Sequence, residues 1–62
     1  MIAYSINYRI RGDERRYDAL VDAKNIESAR RKIARKHKKK DGTLYKDGRV
    51  VQIDRVFVVG YY

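Results

Sequence analysis

The chain has 62 residues, a charged fraction of 39% and a formal net charge of +8, with no cysteine and no proline. That length holds one domain (residues 1–62) and one thin core, because a chain this short buries only about 60% of its unfolded surface, which leaves no room for a deep catalytic cleft. Without Cys there is no disulfide framework and no thiolate metal site, and no apolar run approaches the ~18 residues of a membrane-spanning helix.

In chain order, Met1 to Ile10 alternates: Ile2, Tyr4, Ile6, Tyr8 and Ile10 fall on one face, Ala3, Ser5, Asn7 and Arg9 on the other. A period of two with β-branched and aromatic residues is the mark of a half-buried strand. Arg11-Gly12-Asp13-Glu14 reads as a hairpin loop, since Gly12 takes positive φ at no steric cost. Arg15 to Ala23 is a second strand, with Tyr17, Ala19, Val21 and Ala23 inward, paired antiparallel to the first. A helix starts after Asn25, a strong N-cap residue, with Glu27 near its positive end and a basic cluster near its negative end. It is expected to run over residues 26–38. Ile26, Ala29, Ile33, Ala34 and His37 form its apolar stripe, with Arg30 inside that stripe. Asp41-Gly42 closes the helix, with Gly42 as a left-handed C-cap. Thr43 to Lys46 is a short strand, and Asp47-Gly48 a type I′ hairpin turn. Arg49 to Tyr62 is a long strand, with Val51, Ile53, Arg55, Phe57, Val59 and Tyr61 on one face. Arg55 is the misfit there, and a β-bulge near Asp54 and Arg55 would resolve it. The apolar run Val56 to Val59 argues for a central place in the sheet.

The expected fold is α+β, in the order β-β-α-β-β: a small antiparallel sheet with one helix packed across one face. The alternating N-terminus does not resemble a signal-peptide core, and the absence of Cys fits a cytoplasmic protein.

The dominant signal is charge. Arg30 to Lys40 reads RRKIARKHKKK, with eight of the sixteen basic residues and none of the eight acids. The rest of the chain is formally neutral, so the whole net charge lies on eleven consecutive residues. On a continuous helix, Arg31, Lys32, Arg35, Lys36, Lys38 and Lys39 form a crescent facing solvent. Like charges at i,i+4 cost a few tenths of a kcal/mol per pair, and a chain tuned for stability alone would carry Glu among them. Each such cation displaces a condensed counterion from a phosphate backbone, and a helix of ~15 residues, ~22 Å long, fits a DNA major groove. These six residues are therefore the expected nucleic-acid contacts. The ordinary alternative is a solvated face that serves solubility.

Other features carry less. Tyr4, Tyr8, Tyr17 and Phe57 share core faces, leaving Tyr45, Tyr61 and Tyr62 free to stack. Arg9 and Arg16, with Arg55 as a further candidate, and Asn7 and Gln52 on the open sheet face make a rival docking surface, but Asp18, Asp22 and Asp54 interleave with them. His37, the lone histidine, reads as a packing or capping residue. One His without Cys cannot hold a tetrahedral metal, and the two Asp-Gly pairs lack calcium-loop spacing. Arg11-Gly12-Asp13 is an adhesion tripeptide only by coincidence of a turn. No nucleophile, base and orienting group come together, so no enzyme and no cofactor are expected.

Val21-Asp22-Ala23-Lys24-Asn25-Ile26-Glu27-Ser28-Ala29 resembles the strand-to-helix junction of small basic proteins of phages and mobile elements. The resemblance covers nine residues. It implies a regulatory or host-takeover factor as the alternative to nucleic-acid binding, acting on an acidic or nucleic-acid-binding host protein. DNA or RNA is the first expected partner. A membrane is not, because the apolar stripe is needed for the core. The edge of the last strand invites pairing with a second copy.

Overall fold

A computed structural model describes all residues, Met1–Tyr62. Strands β1 (Ile2–Ile10) and β2 (Arg16–Ala23) precede helix α1 (Ile26–Ala34); a single 3₁₀ turn (Gly48–Val50) leads into strand β3 (Val51–Tyr61). The three strands form one antiparallel sheet in the order β2-β1-β3. The α+β class and the single helix on the sheet are as expected. The fourth strand is absent: Leu44 makes only an isolated bridge to Lys38. So short a ladder has no apolar face to bury and cannot stand as a strand of the sheet.

β1 is central because it is paired along both edges, and its inward residues Tyr4, Ile6, Tyr8 and Ile10 are all buried. β3, expected in the centre, lies at an edge. The register explains why it is apolar on both sides. Tyr8 faces Ile53 but Asn7 faces Arg55, so Asp54 is an extra residue; Tyr4 faces Val58 but Ala3 faces Gly60, so Val59 is another. The expected bulge at Asp54 is there, and it swaps the faces beyond it. Arg55 turns to the open side opposite Asn7, while Val56 and Val58 join Ile6 and Tyr4 on the helix side. Phe57 goes the other way. It leaves the core face assigned to it and is 59% exposed opposite Ser5.

α1 begins as its cap residue dictates: Asn25 Oδ1 accepts the backbone N–H of Ser28 at 2.9 Å, and Glu27 occupies the first turn. Ala29, Ile33 and Ala34 are fully buried against the sheet, with Ile26 half-buried beside them. The helix ends at Ala34, four residues short of expectation. The N–H groups of Lys36 and His37 donate to the carbonyls of Ile33 and Ala34 at 3.0 and 3.1 Å. These i→i−3 bonds tighten the last turn and close it. His37 then reaches the sheet, where its Nε2 and the Tyr8 hydroxyl share a 2.7 Å hydrogen bond. Lys38 to Leu44 folds into a small hairpin finger, with Gly42 N–H donating to Lys39 at 3.0 Å. Gly42 has φ of +88°, but it serves this turn and not the helix end, whose cap is Arg35.

Asp47-Gly48 opens the 3₁₀ turn and not a I′ hairpin: Asp47 Oδ1 accepts Arg49 N–H at 2.9 Å. The turn lies directly on the helix. A Cβ on Gly48 would stand 3.0 Å from Arg30 Cβ and 3.1 Å from the backbone nitrogen of Arg31. α1 thus packs in one core with Val21 and Ala23 of β2 and Val51 of β3. The molecule is 37 Å long, and a nine-residue helix spans only ~13 Å. The half of β3 beyond Ile53 is left uncovered.

Candidate nucleic-acid interface

The six expected contact residues are all exposed, but they do not share a helix face. Arg31 and Lys32 project from α1, and Arg35 caps it. Lys36 lies in the turn that follows, and Lys38 and Lys39 stand on the hairpin finger with Lys40. The single crescent is replaced by two connected surfaces, because the chain leaves the helical path at Arg35. That break relieves repulsion that a longer helix would impose between Lys32 and Lys36 and between Arg35 and Lys39. Arg30 falls in the apolar stripe as expected. It is half-buried, and its Nε has no hydrogen-bond partner.

The cations keep their charge free of internal carboxylates. The chain has two ion pairs: Arg9 with Asp54 at 2.9 Å, and Arg15 with Asp13 at 3.9 Å. Neither involves residues 30–40. The contacts made there are weaker ones. Arg31 donates to Ser28 Oγ at 3.3 Å, Lys32 Nζ donates to the Asp22 carbonyl, and Lys39 Nζ sits 5.9 Å from the centre of the Tyr45 ring.

A feature not expected from sequence joins this surface. An open cleft of about 830 Å³ lies between the β1–β2 loop and the chain after α1. Lys36, Lys38 and Lys40 line one wall and Arg11 and Arg15 the other. Asp13 and Glu14 also line it, so its charge is positive on balance. Tyr17, His37 and Tyr45 give it aromatic lining. Tyr17 is stacked on Tyr8 with ring centres 5.4 Å apart, and the His37 ring meets Tyr17 edge-on at 4.7 Å. Arg11 and Arg15 were legible as neighbours of the cluster only through topology: the β1–β2 loop must lie at the Ile10 end of the sheet, where α1 also ends.

Asp13 organises the loop side of the cleft. Its carboxylate accepts the backbone N–H of Arg15 at 2.9 Å and the Tyr17 hydroxyl at 2.8 Å. Those hydrogen bonds hold its pKa below the ordinary carboxylate value, with the Arg15 N–H the larger cause. The hydrogen bond from Tyr17 to Asp13 raises the Tyr17 hydroxyl pKa, and burial raises that of Tyr8. Asp13 is thus ionised but already engaged.

The rival surface is weaker than its sequence suggested. On the open sheet face, Arg9 is held in a bidentate pair by Asp54, with N–O distances of 2.9 and 3.1 Å. Leu20 and Phe57 stand exposed on either side of Ser5. No three His, Cys, Asp or Glu side chains converge in the molecule, and no helix is long and apolar enough to cross a membrane.

Fold and surface together define a small α+β domain with one strongly basic end. Compared with protein-family models, with curated proteins and with solved structures, the chain matches none.

Proposed function

We infer that the protein binds nucleic acid through phosphate contacts made by Arg31, Lys32, Arg35, Lys36, Lys38 and Lys39. The observation that carries this reading is the unpaired state of the charge. Eight cations in eleven residues form no ion pair with a carboxylate of their own chain, at an electrostatic cost the fold offsets little internally. A polyanion offsets it by releasing counterions. The shortened helix argues against lying along a groove. The finger and the helix end form an angled surface better suited to straddling a phosphate backbone than to reading base edges. Contacts of that kind position a protein without conferring sequence preference.

Titration of labelled single- and double-stranded DNA and RNA at two salt concentrations tests the reading. With about five phosphates engaged, log K falls against log salt with a slope near −4.5 on duplex DNA. Reversing charge at Arg31, Arg35 and Lys39 together is expected to abolish binding under conditions where the wild type binds. Unchanged affinity in that variant would sink the proposal. A protein partner retained from lysate after nuclease digestion, with no measurable affinity for DNA or RNA, would favour the acidic host-protein reading instead.

A further inference from the structure

We propose that two copies of this chain associate through the outer edge of β3, pairing antiparallel about a two-fold axis at Val58 to make one six-stranded sheet. β3 is bonded to β1 along one edge only, and nothing in the molecule covers the other. From Val56 to Tyr62 no side chain carries a formal charge and there is no proline. Exposed strand edges are ordinarily protected by Lys, Pro, a bulge or a covering loop; of these the stretch has only the bulge at Val59. Its large side chains are exposed, from 40% at Val56 to 75% at Tyr61. Such a segment either pairs specifically or is an aggregation hazard.

The occupant that fits is a second copy. A strand edge is complementary to itself, and the two-fold arrangement closes after one contact, which an open-ended pairing does not. The area is also of the right order. Phe57 and Tyr61 together expose on the order of 250 Å² of side chain, about a third of the ~800 Å² per partner of a stable interface. The valines and the strand backbone add to it.

Net charge of +8 opposes self-association, and here the placement of the charge decides the orientation. The cationic cleft is at the Ile10 and Val51 end of the sheet, and the uncharged run is at the Ile2 end. Parallel pairing would set the two basic ends side by side. Antiparallel pairing about Val58 sets them on the order of 50 Å apart, many times the ~8 Å screening length at physiological salt. The bulge at Val59 adds local twist but places no charge on the edge.

Sedimentation equilibrium without nucleic acid tests the proposal, using the wild type, Val58→Lys, Val58→Glu and an equimolar mixture of the two variants. Val58 is outside the buried core, so the variants should fold, which circular dichroism checks. The wild type is expected at twice its 7.4 kDa mass. Each variant alone should self-associate about tenfold more weakly or less, because like charges then face each other across the axis; the mixture should recover the dimer. Should either variant unfold, amide exchange on the wild type keeps the test. Amides of Val56 to Tyr61 not bonded to β1 should exchange more slowly as concentration rises. A wild type that stays monomeric to millimolar concentration would overturn the inference. So would an open-ended polymer, variants that dimerise as well as the wild type, or a mixture that stays monomeric.

Discussion

Gly48 shows how much one missing side chain can decide. It is buried under the helix, with the backbone of Arg30 and Arg31 within 3.2 Å of where a Cβ would be. Those neighbours are main-chain atoms and cannot rotate away. Gly48→Ala is therefore expected to destabilise by about 1–3 kcal/mol, read as a drop of roughly 5–20 °C in melting temperature for a domain of this size. Asp13 sets a second expectation, through pH. Its folded pKa is lowered by Arg15 N–H and Tyr17, and Asp41 is lowered likewise by its two bonds from Thr43. A lowered carboxylate contributes stability that is complete above its unfolded pKa and is lost as pH falls through its folded pKa. Urea midpoints should thus decline below about pH 4, and Asp13→Ala should remove part of that decline. At the other extreme Tyr8 and Tyr17 are raised. Their contribution is complete below the ordinary tyrosine pKa near 10 and fades as pH climbs through the higher folded values.

At the scale of elements, the helix depends on its first cap more than on its length. Nine residues are too few to be stable alone. Loss of the Asn25 hydrogen bond to Ser28 in Asn25→Ala should cost about 1 kcal/mol, measurable as a shift in the denaturation midpoint with no change in its slope. The start of α1 was legible because a cap is a local device. Its end was not, because it is set from outside: His37 bonds Tyr8, 29 residues away in sequence, and the Lys38 to Leu44 hairpin competes for the same backbone. β1 was legible residue by residue, since strict alternation leaves one choice of face. β3 was legible as a strand with a bulge near Asp54, but its position in the sheet was misread. An apolar run on both faces suits a central strand, and two bulges produce the same pattern at an edge. The six basic contact residues were visible as composition. Their division between helix and finger, and the contribution of Arg11 and Arg15, required the topology.

At the scale of the molecule, only eleven residues are buried, and none of them carries a charge. For 62 residues the whole stability is of order 3–9 kcal/mol. Truncating a fully buried isoleucine removes about 2–5 kcal/mol. Ile6→Ala or Ile33→Ala should therefore remove roughly half of that stability, which thermal melts followed by circular dichroism would report as a large drop in melting temperature. Exposed Lys and Arg positions behave differently: they can be reversed in sign without touching the core, which makes the charge variants fair tests of binding and not of folding.

The molecule measures 37 × 19 × 14 Å, and its cleft cations sit at one tip of the long axis. A single copy charged at one tip has a large electric moment that the field of a polyelectrolyte would turn tip-first, whereas in the antiparallel pair the two moments oppose along the rod. Its footprint is then set by its cross-section. A face 19 Å wide spans roughly five or six nucleotides at 3.4 Å spacing, so if the proposed phosphate contacts hold, one tip of a joined pair would cover that length while its other tip stays open to a second strand.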